Sequence, residues 1–285
     1  MCYKNKKSIA ILMAVYNGEQ YLVEQLNSLV SQTCNDWNLY IRDDDSTDST
    51  KDILNLYASL HENIQIVSDA LGNLGCTGNF LQLLEVVESD YYMFCDADDV
   101  WLPEKVQLSF DFLKKLEADH VDTPLLVHTD KLVCNHELQV ISNSSWRSKR
   151  FNPDLFVDFH DIPLYVVGGA CSIFNAKVRV HALSTPPFLM AHDAWVALVT
   201  SKYGKIFALH TPLIMYRQHN SNTIGHNAKR KGTTFERITE VPAIVQQHLL
   251  IAKHLKDFGY GSFAKYFYYR IVIRLKLLYC FFTVR

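Results

Sequence analysis

Three carboxylates fall within the turn Asp96-Ala97-Asp98-Asp99, directly after the apolar run Tyr91-Tyr92-Met93-Phe94-Cys95. Acids this close repel one another unless a cation or a hydrogen-bonding ligand shares the site. Oxygen donors suit the hard cations magnesium and manganese, which often bridge to phosphates. The competing explanation is an acidic helix start, because Asp favours the positive end of the helix dipole. It accounts for Asp99 but not for three acids closing a buried strand. A second acidic stretch, Asp43-Asp44-Asp45-Ser46-Thr47-Asp48, follows Trp37-Asn38-Leu39-Tyr40-Ile41-Arg42. Farther along stand His192-Asp193 and His219. A carboxylate or an imidazole can take up a proton or ligate a metal.

The elements that must position these groups can be read from apolar spacing. Ile9 to Val15 is a continuous apolar run, the pattern of a central parallel strand. Tyr16-Asn17-Gly18 breaks it, and Tyr21, Leu22, Leu26, Leu29 and Val30 recur at helical spacing. Further strands are predicted at Trp37 to Arg42, Ile64 to Val67, Tyr91 to Cys95, Leu125 to Asp130, up to Phe174 and over Ile206 to Tyr216. Helices are predicted over Ile53 to Leu60, Phe80 to Val87, Val106 to Leu116, from His192 onward and from Phe235 to Phe258. Residues 140–163 show no clear period and read as a surface excursion. Gly72 to Asn79 and Pro186-Pro187 read as loops. Strands alternating with helices argue for an α/β protein with a mainly parallel open sheet flanked by helices. In such sheets ligands bind outside the carboxyl ends of the strands, where the Asp96 turn falls.

Bulk properties narrow the class. At 285 residues, with 48% hydrophobic and 20% charged content, the chain is an ordinary globular protein able to bury a sizeable core. A formal net charge of −2 gives no electrostatic case for a nucleic-acid partner. The 7 cysteines lack paired or CxxC spacing, which fits reduced thiols in a cytosolic protein and argues against zinc. No leader and no spanning segment is predicted from the apolar runs.

Taken in order, the end of the first strand at Ala14-Val15-Tyr16-Asn17, the acids after the second, Asn73-Leu74-Gly75, the Asp96 turn and His192-Asp193-Ala194-Trp195 form a distinctive set. Over about residues 8–222 the chain resembles a family 2 glycosyltransferase of the GT-A fold. The stretches Asp96 to Pro103 and Tyr216 to Asn222 look most like bacterial sugar transferases, rhamnosyltransferases among them. The resemblance implies a GT-A catalytic domain over 1–225, with a nucleotide-binding half near 1–103 and an acceptor half near 104–225. A helical extension would fill 226–285.

It also implies residue roles. Ala14, Tyr16 and Asn17 would line the nucleotide pocket, and Asp44 would accept the imide N–H of a uracil or thymine. Asp96 would lie by the ribose. Asp98 would bind Mn2+ or Mg2+, with His219 completing the coordination. Asp193 would be the general base, and the acceptor loop would run near Gly169 and Trp195. The residues themselves leave other readings open. Asp193 could be a helix-start acid, His219 a satisfied polar histidine and Asp44 a cap. Trp195 could be plain core packing, and Gly168 and Gly169 turn residues. Relatives often carry glycine or asparagine at the position of Asp45. The Gln-x-x-Arg-Trp signature of processive members is absent.

The expected function is inverting, metal-dependent transfer of a sugar from a UDP- or dTDP-sugar to a glycan or lipid-linked glycan acceptor in surface polysaccharide synthesis. The rival is a non-catalytic nucleotide-sugar or glycan-binding module on the same fold. The tail has its own two readings. Residues 253–285 hold seven cations (Lys253, Lys256, Lys265, Arg270, Arg274, Lys276, Arg285) against Asp257 alone. Residues 263–285 therefore suit peripheral contact with the inner face of the cell membrane, or packing on the catalytic domain or the second subunit of a homodimer.

Overall fold

The computed structural model describes residues 3–4, 8–162, 167–184, 190–219, 246 and 248–284. The expected loop at Pro186-Pro187, the boundary near 225 and the helix before residue 246 lie outside the described residues. β1 (Tyr3–Lys4) pairs with β5 (Val87–Glu88) in a small two-stranded sheet. The main sheet is mixed. Its amino-terminal half is parallel: β2 (Ile9–Val15) lies between β3 (Trp37–Asp43) and β6 (Tyr91–Asp96), with β4 (Ile64–Ile66) beyond β3. β10 (Ser172–Asn175) then runs antiparallel to both β6 and β8 (Leu125–Cys134). β11 (Lys205–Arg217) lies parallel to β8 and ends the sheet with the short β7 (Val100–Trp101). β9 (Val140–Ser142) pairs with β8.

Both faces of this sheet are covered, as the unbroken apolar runs require. Ala10 and Leu12 of β2 belong to one buried cluster, and Ile9, Ile11, Met13 and Val15 to another. The alternation of side chains along a strand thus feeds two cores. The helices that cover it include α1 (Leu22–Val30), α2 (Thr50–Leu60), α3 (Gly75–Val86) and α4 (Lys105–Asp119). The second half adds α5 (Ser145–Ser148), α6 (Ala176–Ser184), α7 (His192–Tyr203), α8 over 248–257 and α9 (Phe263–Thr283).

The segment expected as a surface excursion does more than that. Phe151, Phe156 and Ile162 are buried. Phe151 and Phe156 form a third cluster with Ile273 and Cys280 of α9. Aperiodic sequence concealed this, because isolated aromatics anchor a loop without any repeating spacing.

Candidate active site

Parallel register brings the first functional residues to one level. Ala14 of β2 faces Arg42 on β3 and Asp96 on β6, and Val15 faces Asp43. The carboxyl ends of three strands therefore open on a common mouth. Tyr16 is 56% exposed at its rim. Asn17 has φ 48° and stitches two loops together. Its amide donates to Ser46 Oγ at 2.8 Å, and its Oδ1 accepts from the Thr47 amide at 2.8 Å. Asp45 has φ 65°, in the left-handed region that glycine and asparagine favour and aspartate tolerates. That conformation admits an aspartate as well as a glycine or asparagine.

Asp44 is 2% exposed and fully engaged. Its Oδ1 accepts from the Leu74 amide and from Arg42 Nη1, both at 2.8 Å, and its Oδ2 from the Gly75 amide at 2.8 Å. Arg42 also makes a two-pronged pair with Asp69, at 2.9 and 2.8 Å. That pairing raises the Arg42 pKa and lowers that of Asp69. Asp44 therefore ties the loop before α3 to β3. A cavity of about 290 Å³ opens beside Arg42, Asp43, Lys51 and Asp69, and its lining contains none of Asp96, Asp98 or Asp193.

At the Asp96 turn the roles separate. Desolvation pushes the Asp96 carboxyl up to about 7, helped by the charges of Asp98 and Asp193 and opposed by Lys131. Asp98 Oδ2 lies 2.8 Å from His219 Nε2, so the two proposed metal ligands meet. Tyr21 packs on the His219 ring at 4.8 Å. Arg217 braces the turn: its Nε donates to the Asp98 carbonyl at 2.9 Å, its Nη1 to the His136 carbonyl at 2.7 Å and its Nη2 to Glu24. Among the described residues no cluster of three or more His, Cys, Asp or Glu could hold a metal. A two-residue protein set of one carboxylate and one imidazole fits a manganese- or magnesium-type ion that takes its remaining oxygens from water and substrate phosphates.

Asp99 differs from the reading as a helix-start acid. α4 begins only at Lys105, and Asp99 is 1% exposed. Its Oδ1 accepts the Arg217 amide at 3.1 Å, pinning β11 to the turn. Burial pushes its carboxyl well above the ordinary range.

Asp193 sits in the first turn of α7. Its Oδ2 accepts the Gly169 amide at 3.1 Å and its Oδ1 the Ala194 amide at 2.7 Å. Gly169 is thus the residue that aims Asp193. A Cβ there would stand 2.9 Å from His192 Nε2 and 3.2 Å from Asp193 Cβ. His192 lies between Phe80 (4.0 Å, stacked) and Phe94 (4.8 Å, edge-on). Burial holds it neutral, with a pKa of about 4.

Trp195 does not join them. It is fully buried, and its indole N–H donates to the Ala182 carbonyl at 3.1 Å. Its ring packs 5.3 Å from Phe258. With its whole surface spent on the core, it has none to offer an acceptor. Two residues of the mouth escaped sequence reasoning. Cys76 lies in the first turn of α3, where desolvation, helped by the charges of Asp96, Asp193, Asp44 and Asp98, pushes its thiol up to about 11. Lys131 of β8 stands 3.6 Å over the Tyr216 ring and keeps its charge beside Asp99 and Asp96. A cation at the end of the predicted strand beginning at Leu125 was the one available signal.

The model of a family described as "Glycosyl transferase family 2" matches residues 10–178. A protein named "dTDP-rhamnosyl transferase RfbG", from Shigella flexneri, is 25% identical over 225 residues, covering 77% of this chain and 75% of its own. The structure of S. aureus TarS 1-349 in complex with UDP-GlcNAc superposes with a TM-score of 0.57 at 18% identity, over 90% of this chain and 73% of that one. Mannosyltransferase PcManGT from Pyrobaculum calidifontis, in complex with GDP-Man and Mn2+, gives a TM-score of 0.56 at 16% identity, over 95% and 81%. At these identities the two structures establish likeness of fold.

Proposed function

Because the chain belongs to glycosyl transferase family 2, with the GT-A fold, we propose that it is an inverting, metal-dependent sugar transferase. The donor is a UDP- or dTDP-sugar, and the acceptor a glycan or lipid-linked glycan in surface polysaccharide assembly. The name of the Shigella relative supports a dTDP-linked donor, and the ligand of TarS a UDP-linked one. The single observation that carries the reading is the placement of Asp193. It is held by the Gly169 amide at the start of α7, and its charge reaches Asp96 on the strand-end turn across the mouth.

Each residue then has a task. Ala14, Tyr16, Asn17 and Asp44 border the nucleoside, and Asp96 lies by the ribose. The acceptor hydroxyl attacks the anomeric carbon from the face opposite the diphosphate. The bond to the diphosphate breaks, and its electron pair leaves with the nucleoside diphosphate. The hydroxyl proton passes to Asp193, and the single displacement inverts the carbon. Two amide donors orient Asp193 for this. Asp98 and His219 would hold a divalent cation, which when bound would supply neutralising charge for the diphosphate; the Mn2+ in the PcManGT structure supports metal use.

Asp193→Asn is the test. Transfer should fall by roughly 10²–10⁴-fold while calorimetric donor binding is retained. Full turnover in that variant would remove Asp193 as the base. Donor binding without any turnover in the wild-type chain would favour the binding-module alternative.

A further inference from the structure

α9 is a helix with two apolar faces. The inner one docks on the domain. Tyr266, Ile273 and Cys280, spaced by seven, are buried. Lys276 fixes this face, its Nζ donating to Asp161 Oδ2 at 2.7 Å and to the Leu155 carbonyl at 2.8 Å. The outer one carries Phe267, Tyr268, Ile271, Leu275, Leu278 and Phe282 at intervals of one, three or four residues. Ile271 and Leu275 are each 60% exposed and Phe282 75%. Scattered exposed apolar residues need no explanation, but a continuous stripe of them does.

The charges on the helix itself are of one sign. Residues 263–284 contain no Asp or Glu. Exposed Lys265 and Arg274 lie on the helix, and exposed Arg147, Lys149 and Arg150 lie on the segment at its carboxyl end. Arg150 binds there directly: its Nη1 donates to the Phe281 carbonyl at 3.1 Å, and its guanidinium lies 4.3 Å over the Phe281 ring. A second copy laid on this stripe would set cations against cations. An anionic surface with an apolar layer beneath it complements both features. None of the described helices is long and apolar enough to cross a membrane, so the fitting geometry is a helix lying in the interface.

We infer that the outer face of α9 and the basic corner Arg147–Arg150 dock the protein on the surface of an anionic phospholipid bilayer. The docking site adjoins the acceptor side of the mouth. Asp130 accepts the Trp146 amide at 3.2 Å and the Ser144 hydroxyl, which roots the basic corner on β8 one residue before Lys131. The inference goes beyond the catalytic reading, since a catalytically inert chain would dock equally well.

The test is co-sedimentation of the full chain with vesicles of phosphatidylcholine alone, or of phosphatidylcholine and phosphatidylglycerol in equal parts, without donor or acceptor. The wild-type chain should pellet with the anionic vesicles and release at high salt. Ile271→Ser with Leu275→Ser should lower partitioning about tenfold or more. Arg147→Glu with Lys149→Glu, both exposed side chains, should abolish the preference for anionic vesicles. Circular dichroism checks that both variants fold. Three results would overturn the inference: no vesicle binding by the wild-type chain, unchanged binding by the serine variant, or a dimer that the serine substitutions dissolve without any lipid effect. Acceptor-free hydrolysis of the nucleotide sugar, measured in parallel, reads the catalytic site separately, so either reading can fall alone.

Discussion

Gly169 carries a burden out of proportion to its size. Its amide orients Asp193, and the space where a side chain would begin is occupied by His192. Neither ring nitrogen of His192 has a hydrogen-bond partner among the described residues, so the ring stands as an apolar wedge between Phe80 and Phe94. Gly169→Ala should push this wedge and the carboxylate apart. The expected cost is about 1–3 kcal/mol of stability from overpacking. The functional cost should appear in kcat, with the donor dissociation constant nearly unchanged. Steady-state kinetics beside calorimetry checks the split, and equal losses in both would show that Gly169 serves the nucleotide pocket instead.

At the scale of elements, the joint between the Asp96 turn and α4 contains a buried amine. Lys105 opens α4, is fully buried, lies 4.4 Å from the Trp101 ring centroid, and its Nζ has no hydrogen-bond partner among the described residues. Desolvation lowers its pKa from 10.5 to about 8, partly offset by Cys171, Cys95 and Asp99. Below pH 8 the folded and unfolded chains both carry the charge, and the folded one bears the full burial penalty. As pH rises from 8 towards 10.5 the folded chain loses its proton first, so this residue's penalty shrinks. Lys105→Met should therefore stabilise the protein by about 1–3 kcal/mol at neutral pH. Urea melts of both chains should show that advantage narrowing through the alkaline range. An advantage independent of pH would mean that the amine is not the source.

At the scale of the whole molecule, much was legible because it rests on local signals. Unbroken apolar runs marked β2, β3 and β6, since a strand buried on both faces has no polar side to alternate. Acids placed straight after two of those runs had to lie at the strand ends, and Asp44, Asp96 and Asp98 do. What stayed hidden depends on contacts distant in the chain. An acid that starts a helix and an acid that pins another strand look identical, so Asp99 was misread until β11 lay beside it. Trp195 shares its helix with Asp193, yet about half a turn of an α-helix separates mouth from core. The mixed character of the second half of the sheet was hidden too, because apolar periodicity reports burial and not strand direction.

That mixed half has a consequence for how the chain is made. β10 fills the gap between β6 and β8, yet it follows β6 by the stretch from Asp96 to Ser172. During synthesis the parallel quartet β4-β3-β2-β6 can form early from neighbouring segments, but the hydrogen-bonding rim of β6 must wait. Until β10 emerges, the backbone of Tyr91, Tyr92 and Met93 forms an open strand edge, the kind of surface that recruits other chains. Chains halted just after β8 should accumulate as aggregates, and chains released beyond α6 should be soluble. Pelleting assays on a series of nascent lengths would locate that change. Solubility already complete before Ser172 would mean that the edge is shielded by something other than β10.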